Sequence, residues 1–199
     1  MKYDFIEVGT SDFETLIEKA DNQTIGLSIE PIKQYLDNLP NKPGVIKANY
    51  ALSNKKGKSK VYYIDPQDIK KHNLPEWVRG CNSINHPHPT VKRLLGEKYE
   101  KIAIVREVEV ITWKDIIEMY KVEEIGTLQI DTEGHDHIIL EEYFKACTLL
   151  PSILATTIIF EYNELANKTA LNRIIAKFEK LGYTGKKVAD INYGLYKQN

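Results

Sequence analysis

The chain has 199 residues, a comfortable size for one domain and too short for two full ones. Hydrophobic residues make up 42% and charged residues 28%, and 27 Lys and Arg against 28 Asp and Glu leave a net charge of −1, which excludes a global field steering the protein to nucleic acid or an anionic membrane. Cys81 and Cys147 stand far apart in unlike contexts, the N-terminus carries no signal-peptide pattern, and no run is long enough to span a bilayer. A reducing, cytoplasmic location is expected.

Apolar strand-like runs alternate with helical periodicity, which predicts an α/β fold with a mostly parallel sheet. The first strand is expected at about 4–8. Ser11-Asp12-Phe13-Glu14 has the form of a capping box, followed by Phe13, Leu16, Ile17 and Ala20 at helical spacing. A second strand is expected at about 24–29. Pro31 suits a first helical position, and Ile32, Tyr35, Leu36 and Leu39 share a face. Residues 45–52 read as a third strand, and Lys55–Lys58 as a turn into another at 61–64. From Asp65 to about Lys101 the prolines and weak periodicity predict a long active-site loop. An edge strand is expected at 107–111, then a helix capped by Thr112 with Trp113, Ile116, Ile117 and Tyr120 on one face. Central strands follow at 126–130 and 155–162, with a helix starting near Gly134 between them. The last helix starts at Lys168, with Leu171, Ile174, Ile175, Phe178 and Leu181 inward and Gly182 as its stop. Residues 183–187 and 193–197 are expected to pair as a hairpin. Residues 1–199 read as a single domain.

Phe5-Ile6-Glu7-Val8-Gly9 and Gly26-Leu27-Ser28-Ile29-Glu30-Pro31 are both apolar runs that end in an acidic residue. Such strand ends offer carboxylates and free backbone N–H groups to a nucleoside. Glu30 suits both ribose hydroxyls, because a carboxylate only accepts. The first turn reads Gly9-Thr10-Ser11-Asp12-Phe13 and lacks the G-x-G-x-x-G pattern, so a pyrophosphate would meet Asp12 and Phe13. The cofactor implied is adenosine without phosphates, and S-adenosylmethionine fits. Ile130-Asp131-Thr132-Glu133-Gly134-His135-Asp136 places three carboxylates and a histidine at another strand end. The plainer reading has Asp131 and Glu133 merely capping the next helix.

These motifs, with Asn49-Tyr50-Ala51-Leu52-Ser53-Asn54 between them, resemble the FkbM family of S-adenosylmethionine-dependent methyltransferases from about Asp4 to Tyr183. The resemblance implies a class I, Rossmann-like three-layer sandwich whose last strand is antiparallel. It implies methyl transfer to a hydroxyl of a small molecule or glycan. By position, Glu7, Gly9 and Ser11 would line the methionine end of the cofactor. Glu30, followed by Pro31, would hold the ribose, Ala51 would flank the adenine, and Asp131 would face the sulfonium. Gly80, Asn82 and Ser83 resemble the family's active-site loop, so 80–90 is expected to act as a lid. The family has glycine at Phe13 and often asparagine at Ser11. The chain also starts at its first strand, without the N-terminal extension that often shapes an acceptor pocket. These departures motivate a rival reading, a binding or scaffold protein on an inactive methyltransferase fold.

The catalytic candidates are Asp131, His135 and Asp136. Asp131 is expected to stay ionised opposite the sulfonium. His135, oriented by Asp136, is the candidate for taking the acceptor proton. Its plainer reading is an exposed helix-start residue. No metal is expected. Cys81, His86 and His88 match no structural zinc spacing. Asp131, Glu161 and Asn163 echo magnesium-dependent catechol-type methyltransferases, but form an incomplete oxygen cage. Lys55, Lys56, Lys58 and Lys60 read as a solvated turn rather than a phosphate patch. The basic surface of a nucleic-acid methyltransferase is missing. Oligomeric state is left open.

Overall fold

The computed structural model describes residues 1–84, 86–189 and 191–198; Asn85 of the expected lid lies outside the described residues. In chain order the strands are β1 (Lys2–Val8), β2 (Gly26–Ile29), β3 (Val45–Ala48), β4 (Ala51–Leu52), β5 (Gly57–Ile64), β6 (Ser83–Ile84), β7 (Ala103–Ile111), β8 (Glu124–Ile130), β9 (Thr157–Glu161), β10 (Tyr183–Lys187) and β11 (Asn192–Lys197). The helices are α1 (Leu16–Lys19), α2 (Lys33–Asn38), α3 (Pro66–Lys71), α4 (Pro89–Leu95), α5 (Tyr99–Ile102), α6 (Trp113–Tyr120), α7 (Asp136–Leu149) and α8 (Lys168–Glu179).

The larger sheet has seven strands in the order β10-β11-β9-β8-β1-β2-β3 among the described residues. Strands β1, β2, β3, β8 and β9 are parallel, whereas β11 runs antiparallel to both β9 and β10. The fold is therefore mixed α/β with a mostly parallel sheet, and the 183–187 hairpin is as expected. Near-continuous apolar strands such as β1 and β9 are buried on both faces, as parallel sheets require. Trp113, Tyr143 and Phe178 from three helices join this core. The Tyr143 hydroxyl donates to Ile153 O at 2.6 Å and accepts from Ala155 N at 2.8 Å, so no polar group is stranded there. Thr112 caps α6 as expected, in a reciprocal box with Asp115.

Several expectations fail, each for a local reason. The capping box sits at Thr15 and Glu18, not at Ser11 and Glu14, which both adopt left-handed backbone with φ of 50° and 57°. Pro31 precedes α2 rather than opening it; the N-cap is Ile32. The single strand at 45–52 is two strands of different sheets. Asn49 breaks it, its side-chain amide donating to Glu30 O at 2.8 Å and Pro31 O at 3.0 Å. The strand at 107–111 is no edge: β7 lies between β4 and β5 in a second sheet, ordered β4-β7-β5-β6. The long loop at 65–101 is largely structured. Its short helices close over Ile69, Val78, Val91, Leu95 and Tyr99. Asp65 and His88 cap α3 and α4 by accepting from Gln67 N and Val91 N. Helices of six and seven residues are too short for periodicity to be read. Leu181 is exposed, because α8 has ended and the chain turns out through Gly182 at φ 86°.

Candidate active site

A cavity of about 730 Å³ opens at the carboxyl ends of the parallel strands. Glu7 and Gly9 from β1, Glu30 from β2, Asp131 after β8 and Glu161 from β9 line it, and Trp77, Gly80, Asn82 and His88 border it from the 66–102 segment. Open α/β sheets keep their ligands at this edge, and the volume suits a drug-sized molecule.

The β1 turn is built by close approach. A Cβ on Gly9 would lie 1.9 Å from Asp131 O, and Gly9 has φ 79°, so only glycine lets the ends of β1 and β8 meet. The next residues hang from the strand-end carboxylates. Glu30 accepts from Ser11 N at 2.9 Å and Ile32 N at 2.8 Å. Glu7 accepts from Leu16 N at 3.0 Å and from the Gln129 amide at 3.1 Å. Both carboxylates are buried, and burial pushes each pKa up to about 7 despite those donors. Glu7 Oε2 and both Glu30 oxygens each keep an unused lone pair, while Glu7 Oε1 already accepts twice. Ser11 Oγ is buried without a partner, an orphan group beside the cavity that a polar ligand would satisfy.

Carboxylates crowd the other end. Ligand oxygens of Asp131, Glu133 and Glu161 lie within 4.8 Å of one another. The Asp131 side chain is exposed to the cavity, yet desolvation there and then Asp136 and Glu133 push its pKa up; buried Glu161 is raised by desolvation and by Glu133 and Asp131. Asp136 does not line the cavity. It is a strap: its carboxylate accepts from the Thr132 hydroxyl at 2.7 Å and from Glu161 N at 3.1 Å, binding the ends of β8 and β9 together. It does not orient His135. His135 lines the cavity half-buried, and its Nε2 meets Ser53 Oγ at 3.0 Å. Burial lowers its pKa to about 4, well off the match to neutral pH expected of it.

The family model of the methyltransferase FkbM domain matches residues 5–184 of the chain. This protein belongs to the FkbM methyltransferase family. No curated protein and no solved structure matches the chain. Within this FkbM domain, Glu7, Gly9, Ser11, Glu30, Pro31, Ala51, Asp131 and His135 all line one cavity. Ser83 does not: it is buried in β6, paired with Tyr62, while its neighbours Asn82 and Ile84 reach the cavity. Phe13 keeps its place in the wall, its ring 5.5 Å from the Arg79 guanidinium.

Sequence reasoning missed Arg79, Gln129 and the role of His88. Arg79 pairs with Asp12 across the fold, and no local pattern announces such a partner. Buried His88 joins Glu133, at 3.0 Å, to the helix it caps. Lys56 and Lys58 pair with Asp115 and Glu107, which leaves no bare lysine patch around them. No helix among the described residues is long and apolar enough to cross a membrane.

Proposed function

We propose that this FkbM methyltransferase uses S-adenosylmethionine and methylates a hydroxyl of a small molecule or glycan, on a class I fold. The strand order with one antiparallel strand supports that fold. The observation that carries the function is the pair of buried carboxylates, Glu7 and Glu30, at the ends of adjacent strands around the Gly9 turn. A carboxylate pair with spare acceptor sites suits the ammonium and ribose hydroxyls of such a cofactor. The turn lacks the G-x-G-x-x-G pattern that cradles a pyrophosphate, and Phe13 stands in the cavity wall there.

When bound, the cofactor supplies an electrophilic methyl group on a positive sulfur. Glu30 would hold the ribose and Glu7 the amino-acid end, with Ala51 and Pro31 as the apolar wall. Asp131 would face the positive charge, which would favour its ionised form. The 66–102 segment excludes water, which strengthens every charge–charge contact inside. Alignment of acceptor and methyl is worth up to ~7–11 kcal/mol. His135, on the same cavity and kept neutral by burial, would take the acceptor's proton at Nε2, the nitrogen now bonded to Ser53 Oγ. The retained acidic residues speak against an inactive scaffold, because burying carboxylates is costly unless something uses them. Calorimetric titration with S-adenosylmethionine and its demethylated product tests the reading. Saturable binding of both is expected. Binding of neither to the folded protein would leave the scaffold reading.

A further inference from the structure

The carboxylate cluster exceeds what a methyl donor needs. Glu161 is 4% exposed. Its Oε1 accepts from the Asn163 amide, its Oε2 is buried with no partner, and one of its oxygens belongs to the group shared with Asp131 and Glu133. A buried acceptor facing two further acceptors lacks a positive partner. Two oxygens bound to one magnesium-class ion at ~2.1 Å lie at most about 4.2 Å apart. The observed limit of 4.8 Å closes onto an ion with small rotamer changes.

A second grouping, Cys81, His88 and Glu133, competes for Glu133. The His88 ring excludes it. Its Nδ1 accepts from Val91 N, so its proton sits on Nε2, which donates to Glu133. With both nitrogens engaged, His88 is an orienting residue for Glu133 rather than a ligand. Such hydrogen-bonded supports are what metal-binding carboxylates use. Asp136 is likewise spent on Thr132 and on Glu161 N.

We propose that Asp131, Glu133 and Glu161 form the protein side of a divalent-cation site of the hard, magnesium or manganese class. The all-oxygen set selects that class over zinc. Its open positions face the cavity, where they would take the hydroxyl oxygen of the acceptor. That role rests on the methyltransferase reading above; binding of the ion does not. The expectation of no metal counted Asp131, Glu161 and Asn163, and Glu133 supplies the missing carboxylate. A bound ion acidifies a coordinated hydroxyl.

The test is titration of the full chain with Mn²⁺, without cofactor, followed by the loss of the free-ion paramagnetic resonance signal. One ion per chain is expected, displaced by Mg²⁺. Glu161→Gln and Asp131→Asn should each weaken binding by at least about tenfold, and His88→Ala by about 10–100-fold. Glu118→Gln, on the exposed face of α6, should leave binding unchanged. Circular dichroism establishes that each variant is folded. No stoichiometric Mn²⁺ on the folded wild type, or binding that survives both Glu161→Gln and Asp131→Asn, would overturn the site. A parallel S-adenosylmethionine titration separates the claims. Cofactor binding without Mn²⁺ sinks the cation site alone, and Mn²⁺ without cofactor sinks the methyltransferase reading alone.

Discussion

The Arg79 guanidinium and the Asp12 carboxylate lie 2.5 Å apart, and the Asp12 side chain is wholly buried. This ion pair ties the turn after β1 to the segment that borders the cavity, and Asn38 holds the same carboxylate at 2.8 Å. Arg79→Ala strands a buried charge. It should cost about 2–4 kcal/mol in urea unfolding, less than a fully buried pair because Arg79 is partly exposed. Asp12→Asn together with Arg79→Leu should cost less than Arg79→Ala alone. Equal losses would show that the pair contributes nothing specific.

Glu30→Gln should weaken S-adenosylmethionine by about 1.5–3 kcal/mol, the worth of a hydrogen bond to a charged group. Unchanged affinity in the folded variant would remove Glu30 from the site.

Glu7 and Glu30 also set a pH dependence. Burial raises both to about 7 in the folded protein, from an ordinary value of 4.5. Between those values the folded state binds more protons than the unfolded state, so stability falls as pH rises. The contribution is fully present below about pH 4.5 and lost through pH 7, roughly 3 kcal/mol per group at most. The melting temperature should therefore drop between about pH 4.5 and 7 and level off above. Glu7→Gln or Glu30→Gln should flatten that drop. An equally steep drop in the double variant would locate the titration elsewhere.

Much of the cavity's strand-end wall was legible in the chain. Glu7, Gly9, Glu30 and Asp131 end apolar runs, and a strand end is a local pattern. The second sheet was not legible, because β4 is two residues long and β7 finds its partners far away. Asp136 looked like an orienting group for His135 because the two are adjacent. In the fold its carboxylate points to Thr132 and to the Glu161 backbone instead. The capping-box pattern, Ser or Thr with Glu three residues on, occurs twice, at Ser11–Glu14 and at Thr15–Glu18. Glu30 claims Ser11 N, and the second position forms the cap.

Asp136→Ala should therefore act on stability first. It frees Glu161 N and the Thr132 hydroxyl, both inside the fold, at about 1–3 kcal/mol. Thermal unfolding is the measurement. Loss of turnover with an unchanged melting temperature would instead put Asp136 in the chemistry.

His135→Ala should leave cofactor affinity intact and lower turnover on a true acceptor by ~10²–10⁴-fold. Full turnover would move the proton acceptor to another group on the cavity.

The close approach of Gly9 to Asp131 also bears on how the protein is made. Phe5 aligns with Gly26 on one side and with Thr127 on the other, so β1 lies between an early neighbour and a late one. During synthesis, β1, β2 and β3 emerge long before β8 exists. Until then β1 is an open sheet edge, the kind of surface that pairs with other chains. Long-range closure of this sort slows folding. The cradle around Glu7 and Glu30 acquires its Asp131 wall only when that closure is complete, so a ligand of this cavity added during refolding can select only chains that have already joined their two halves.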